Sequence, residues 1–274
     1  MARANGERKS MNELWQTLLC DAHAHLGGAN EQQEREQEQI LSLLCASTPD
    51  EARELFSLDG AWRIPTCGIH PWHAHQYKLE MMLPWMMKCP IIGEIGMDSV
   101  WCSVPLTIQE EQFRLQLDLA CRLKKPVILH TKGQERQIAE IIRDYPNQYL
   151  VHWYSCEHSL EYYLDLDCYF SVGPDVWWNP AVRHVAQTVP LTRILTETDG
   201  LNAVKWAEEE GLRTASSAVS AEVTAADAAS PSHRPVTASL LKTLGVVAEL
   251  RHMSLEEAKK QVRENLLSFL PSFL

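Results

Sequence analysis

A closed (β/α)8 barrel is the fold class that this sequence predicts, and three observations predict it. Short apolar runs alternate with helical patterns from about Leu18 to Thr198, and eight such runs are found. Eight is the number of parallel strands that closes a TIM barrel, and the 274 residues lie near the ~250 typical of one such domain. Several runs also end in His, Asp or Glu, as strands do when their C-terminal ends form a barrel mouth. An open doubly wound sheet would carry a glycine-rich turn after its first strand, and Gly27–Gly28 lacks the G-x-G-x-x-G spacing.

The candidate strands, in order, are Leu18–His25, Ile40–Ala46, Trp62–His70, Ile91–Gly96, Pro126–His130, Tyr149–Trp153, Cys168–Val172 and Arg193–Asp199. The clearest helix is Gln109–Lys124, where Phe113, Leu117, Ala120 and Cys121 share a face and Lys124–Lys125 complements the C-terminal end. Pro126 stops it and opens the next strand. Pro49, Glu51 and Ala52 start another helix. Glu31–Gln39 reads as a solvated helix face. A C-terminal pair, Val236–Arg251 and Ser254–Leu270, follows, with Ser254 and Glu257 as a capping box. Residues 1–12 are a polar, flexible extension, and 13–274 form one barrel domain. Within it, Ala207–Pro235, rich in Ala, Ser, Thr and Glu, is expected as a mobile insertion.

Composition bounds the function. Hydrophobic residues make 45% and charged residues 22% of the chain, an ordinary globular balance. A net charge of −11 excludes a broad basic surface for gripping nucleic acid, although bound cations would reverse that sign locally. No apolar run approaches the ~20 residues of a membrane span, and no signal-peptide core is present. Eight scattered cysteines without a C-x-x-C read as reduced thiols. A cytoplasmic protein without a membrane partner is expected.

The chemistry lies in where the polar residues fall. Asp21-Ala22-His23-Ala24-His25 closes the first strand, and residues two apart on a strand face the same way. His23 and His25 can therefore hold one cation, with Asp21 a candidate acceptor behind them. Glu94 interrupts an apolar strand, while His130, His152 and Asp199 end three others. Singly, each has a bland explanation: a satisfied strand-end His, an Asp capping a helix, or a Glu paired with an Arg. Together, four imidazoles and two carboxylates exceed what one tetrahedral ion needs, and two divalent ions sharing a carboxylate use them more naturally. Such donors accept Mg2+, Mn2+ or Zn2+.

In combination, the segments DAHAHL (21–26), GIHPWHA (68–74), IGEIGMD (92–98), QxxxFRLQLDLACRLKKPVILHTK (109–132), VHWYS (151–155) and ETDG (197–200) resemble the TatD family of metal-dependent deoxyribonucleases. The resemblance covers roughly Asp21–Gly200. It implies that His23, His25, Glu94 and Asp199 hold one ion, and that Glu94 bridges to a second held by His130 and His152. It places His70 near the substrate phosphate and Lys132 where relatives carry an Arg. The implied reaction is cleavage of DNA phosphodiester bonds by a water activated between two metals, with Asp199 as general base and Glu94 setting the spacing. Lys132 keeps a charge at the phosphate and loses the bidentate fork of Arg.

Departures cluster where substrate is gripped. Trp153-Tyr154-Ser155-Cys156 replaces Cys-Phe-Ser-Gly, Ser99-Val100-Trp101 follows Asp98, Gly200-Leu201-Asn202 replaces Ala-Pro-Tyr, and no Asn-Glu-Pro is found near Arg234-Pro235. A related barrel hydrolase acting on a small ester, lactone, amide or phosphate ester is therefore the alternative, and a non-catalytic scaffold is a third reading. Trp153, Trp177, Trp178 and Trp206 are candidates to line the mouth and stack on bases. His73 and His75 are expected as exposed or substrate-rim residues, and Cys156 as a buried or rim thiol. His158, His184, His233 and His252 are expected at the surface.

Overall fold

The computed structural model describes residues 18–218 and 234–271. Eight strands lie parallel in chain order: β1 (Leu19–His25), β2 (Ile40–Ala46), β3 (Arg63–Cys67), β4 (Ile91–Gly96), β5 (Val127–His130), β6 (Tyr149–Val151), β7 (Tyr169–Val172) and β8 (Ile194–Thr196). The Asp199 amide donates to the His23 carbonyl at 3.0 Å and brings β8 back to β1, so the sheet is a nearly closed barrel. The expected fold class is the observed one.

Helices alternate with the strands: α1 (Ala29–Gln37), α2 (Pro49–Ser57), α3 (Leu79–Met86), α4 (Leu106–Leu123), α5 (Glu135–Ile142), α6 (Leu160–Leu164), α7 (Pro180–Thr188) and α8 (Leu201–Ala218), then α9 (Pro235–Leu250) and α10 (Leu255–Phe269). Local chemistry sets their ends. Thr48 caps α2 by accepting from the Glu51 amide. Lys124 turns left-handed to close α4. Ser254 and Glu257 form the expected box on α10. Every residue of β2 is buried, as a parallel strand between interior and helices requires. Alternate residues of β5 and β6 separate into two clusters. Ile128 and Leu150 join one, while Val127, Leu129 and Val151 join the layer under the helices. His130 and His152 lie two positions beyond Ile128 and Leu150, and so share their interior side.

Three expectations change. Strands β3, β6 and β8 stop at Cys67, Val151 and Thr196, so His70, His152 and Asp199 project from the turns that follow. Trp153 (φ 40°) and Asp199 (φ 57°) are left-handed in those turns, which ends the ladder there. The Glu31–Gln39 run is not a solvated face: Glu31, Gln32, Glu34 and Arg35 are buried on α1. Polarity misled here because the helix covers Asp21 and the start of α9. Glu34 accepts from the amides of Val236 and Thr237, an acid at a helix N-terminus. Finally, residues 207–218, expected in a mobile insertion, continue α8. The remainder of that segment, and the extension at 1–12, fall outside the described residues.

Candidate metal centre

The six expected donors converge on one mouth, with Glu94 at the centre. Its Oε2 lies 3.3 Å from both His23 Nε2 and His25 Nε2. Its Oε1 lies 2.6 Å from His130 Nδ1 and 2.7 Å from His152 Nε2. Asp199 Oδ1 completes the first set at 3.4 Å from His23 Nε2 and 3.6 Å from His25 Nε2. One carboxylate thus presents each oxygen to a different pair of imidazoles.

Close approach of β4 to its neighbours makes this possible. A Cβ at Gly96 (φ 156°) would fall 1.9 Å from the His130 carbonyl oxygen, so only glycine lets β4 and β5 meet there. The Glu94 amide donates to Cys45 Sγ at 2.9 Å, which ties the carboxylate's backbone to β2.

Polar contacts on the far sides of the rings orient them. His130 Nε2 faces Asp98 Oδ2 at 3.0 Å, while Nδ1 on the other side of the ring faces Glu94. Asp98 is itself held by the amides of Val100 and Trp101 and the indole of Trp72. His152 Nδ1 faces Glu197 Oε1 at 3.4 Å, leaving Nε2 toward Glu94. His70 differs: its Nδ1 accepts from the Trp72 amide at 3.3 Å, so Nε2 keeps the proton. That nitrogen points at His130 Nδ1 (3.3 Å) and Glu94 Oε1 (3.6 Å), which makes His70 a donor beside the cluster.

The site carries more negative charge than its own hydrogen bonds absorb. Both His23 nitrogens, Glu94 Oε2, Asp199 Oδ1 and both Glu197 oxygens are buried without a hydrogen-bond partner. Burial works against charge on every group, yet Glu94, Asp199 and Glu197 outweigh it on the imidazoles. His152 is raised to about 9 and His23 well above its usual value. Glu94 is burdened by burial too, but the surrounding imidazoles hold it well below the usual carboxylate range. His70 goes the other way, lowered to about 4 by burial, and is neutral. The acids thus favour positive charge at the imidazoles that face them. Three trios of donors have ligand atoms within 4.8 Å of one another: His23–His25–Glu94, His23–His152–Asp199 and His70–Glu94–His130. An N/O donor set of this kind fits divalent ions.

The cluster opens into a cavity of about 760 Å3, which Trp72, Trp101, Trp153 and Trp206 help to line. Lys132 also lines it, with Nζ donating to Ser155 Oγ at 2.6 Å. Of the expected tryptophans, Trp153 and Trp206 face the mouth. Trp177 instead packs outward, its indole donating to Thr243 Oγ1 with Lys242 3.5 Å over its ring. Trp178 donates to the Ala207 carbonyl and supports α8. Cys156 and His73 lie at the rim; His75, His158, His184 and His252 are exposed, and His233 lies outside the described residues. Asp21, expected behind a ligand, binds Arg35 Nη1 (2.7 Å), the Thr198 amide (2.9 Å) and the Thr198 hydroxyl (2.6 Å). A charged partner on α1 captured it. Asp98, Glu197, Trp72 and Trp101 were not singled out as site residues. The signals were present: Asp98 shares the alternation of Glu94 and Gly96, and Glu197 that of Asp199.

The molecule is a nearly closed parallel barrel with His and carboxylate donors gathered at the C-terminal ends of its strands, the face on which barrel enzymes build their active sites. The sequence model described as TatD related DNase matches residues 20–271, and the chain belongs to the TatD family. An uncharacterized metal-dependent hydrolase of Haemophilus influenzae is 25% identical over 92% of this chain and 99% of its own length. The human 3'-5' RNA nuclease TATDN2 is 29% identical over 53% of this chain, a match spanning only 21% of that relative. Among solved structures, the TatD homologue YJJV of Escherichia coli K12 superposes with a TM-score of 0.72 at 20% identity, covering 92% of this chain and 97% of that one. That likeness shows the fold. No described helix is long and apolar enough to cross a membrane.

Proposed function

We propose that this metal-dependent hydrolase cleaves phosphodiester bonds in nucleic acid, DNA foremost, with two divalent cations held side by side. The observation that carries the reading is the division of Glu94: Oε2 toward His23 and His25, Oε1 toward His130 and His152. His23, His25, Glu94 and Asp199 would hold one ion, and Glu94, His130 and His152 the other. When bound, such ions neutralise phosphate oxygens and lower the pKa of a water between them.

The chain's own residues do the rest. Asp199 projects into the cavity from a left-handed turn, with Oδ1 unpartnered, and takes the proton from the attacking water. His70, neutral with its proton on Nε2, donates to a phosphate oxygen. Lys132, anchored on Ser155, supplies one fixed positive charge. Asp98 and Glu197 keep His130 and His152 turned toward Glu94.

The test is metal analysis of the purified chain, then chelation and re-addition of Mg2+, Mn2+ or Zn2+ with single-stranded DNA, duplex DNA, RNA and small phosphodiesters. Turnover should vanish with the metal, return with it, and be highest on DNA. Turnover that survives chelation would end the reading. Cleavage confined to small esters would move the activity to the small-molecule hydrolases.

A further inference from the structure

Resting on the reading of a two-metal centre, we propose that Gln109 and Gln116 of α4 are positioning residues for it: together they hold the Asp98 carboxylate where it turns His130 toward Glu94.

Each glutamine pairs with both backbone groups of a single residue. Gln109 Oε1 accepts from the Asp98 amide at 2.7 Å, and its Nε2 donates to the Asp98 carbonyl at 3.0 Å. Gln116 Oε1 accepts from the Ile69 amide at 2.6 Å, and its Nε2 donates to the Ile69 carbonyl at 3.1 Å. Both side chains are buried. A carboxamide carries a donor and an acceptor as a peptide does, so it can stand in for a neighbouring strand.

A stand-in is needed at both places. The ladder between β3 and β4 ends at Cys67 and Ile92. Beyond it, the amides of Met97 and Ser99 donate to the carbonyls of His130 and Lys132, so the Asp98 amide between them faces the opposite side. The Gly68 amide likewise donates to the Ala46 carbonyl, and the Ile69 amide faces away from it. Buried peptide groups left there unpaired would be costly, and α4 supplies the partners. Seven residues make nearly two helical turns, so Gln109 and Gln116 lie on one face of α4, about 10 Å apart along its axis. Gln109 Nε2 also donates to the Val104 carbonyl at 2.7 Å, which closes the turn leading into the helix.

The two held segments meet at one oxygen. Asp98 Oδ2 accepts from Trp72 Nε1 at 2.7 Å and faces His130 Nε2 at 3.0 Å. Trp72 stands in the turn that Ile69 opens, and its amide donates to His70 Nδ1 at 3.3 Å. Gln109 therefore fixes the backbone of Asp98, and Gln116 fixes the turn that brings the indole to it. On the far side of the ring, His130 Nδ1 lies 2.6 Å from Glu94 Oε1. An imidazole whose outer partner shifts loses its preset direction, and affinity for a metal falls with it.

The experiment titrates Mn2+ by calorimetry into the chelated full chain, so its readout does not depend on turnover. Gln109→Met, which keeps the length of the side chain and loses its hydrogen bonds, should weaken Mn2+ binding about tenfold. Gln116→Met, one step further from Asp98, should weaken it about three- to tenfold. In an Asp98→Ala background each should change the affinity less than about twofold, because the group they position is gone. Gln112→Met is the control: Gln112 lies between them on α4 with an Oε1 that has no hydrogen-bond partner, and its loss should leave the affinity unchanged. In the chelated wild type, the amides of Ile69 and Asp98 should exchange with solvent as slowly as those within β4. Unchanged affinity in Gln109→Met, equal losses in both backgrounds, or fast exchange of those amides would overturn the proposal. If a Met variant does not fold, the corresponding Glu variant, which keeps the acceptor and loses the donor, is read by the same criteria. If the affinity pattern holds and no phosphodiester is cleaved, the positioning role stands and the hydrolytic reading fails. If DNA is cleaved and Gln109→Met binds Mn2+ as tightly as wild type, the positioning role fails and the hydrolytic reading survives. A wild-type chain that binds no Mn2+ would overturn both.

Discussion

Two buried charge clusters share strand β1, only two residues apart, and they are completed differently. Asp21 is met by Arg35, which also binds Glu31 (2.9 Å) and the Ser42 hydroxyl (2.8 Å), while Thr198 fills the remaining acceptor sites. His23 and His25 face Glu94 and Asp199, yet among the described residues no Lys or Arg ion pair reaches either acid, and Glu94 Oε2, Asp199 Oδ1 and both His23 nitrogens are without a hydrogen-bond partner. A buried charge network that includes its own cation is a structural joint, here tying β1 to α1 and β8. One that lacks a cation is costly unless a cation from solution completes it. The contrast separates a self-satisfied joint from an open cluster without reference to any relative.

The largest effect should separate the two clusters outright. Glu94→Gln removes the carboxylate shared by both imidazole pairs, and turnover should fall by roughly 10³-fold or more. Turnover within tenfold of wild type would break the comparison. Arg35→Met inverts the pattern. It strands Asp21 and Glu31 in the interior and should cost about 3–5 kcal/mol of stability, read from denaturant midpoints. Asp21→Asn combined with Arg35→Met should recover part of that loss. A cost below about 1 kcal/mol would show that the joint is not needed.

Sequence and structure agree most where alternation rules. Eight apolar runs specify eight strands, and a donor at the end of each of several runs specifies a polar mouth. His23, His25, Glu94, His130, His152 and Asp199 were legible because each breaks or ends an apolar pattern. Arg35 was not, because a polar helix reads the same whether it faces water or a buried Asp. Trp101 and Trp72 were not, because they sit in turns, where spacing says nothing about direction. Asp98 and Glu197 share the alternation of the donors beside them, but both act behind an imidazole, and only the assembled barrel shows which ring nitrogen they face.

Asp98 sharpens the comparison further, since it steers a ligand of the open cluster. Asp98→Asn still accepts from Trp72 but no longer fixes His130 with Nδ1 inward. Affinity for the activating metal should fall about 10- to 100-fold, measured by calorimetric titration, with kcat at saturating metal affected less. An unchanged affinity would remove Asp98 from the site.

The smallest effect concerns a third buried acid, which belongs to neither cluster. Asp175 accepts from Trp153 Nε1 and from Asn179 Nδ2 (2.8 Å), so both its partners are neutral. Burial raises it to about 6, against an ordinary Asp value near 3.8. An acid raised on folding costs stability when it ionises. The cost is fully present above about pH 6, shrinks as pH falls through that value, and is gone below the unfolded value. Asp175→Asn removes the charge and keeps an acceptor for Trp153, so it should stabilise the protein at pH 8 by about 1–3 kcal/mol. That gain should fade toward pH 4, the reverse of what loss of a paired acid does. A variant destabilised at pH 8 would mean that the carboxylate's hydrogen bonds outweigh its desolvation. Asp175 would then rank with the self-sufficient joint at Asp21 rather than with the acids that depend on a cation from outside.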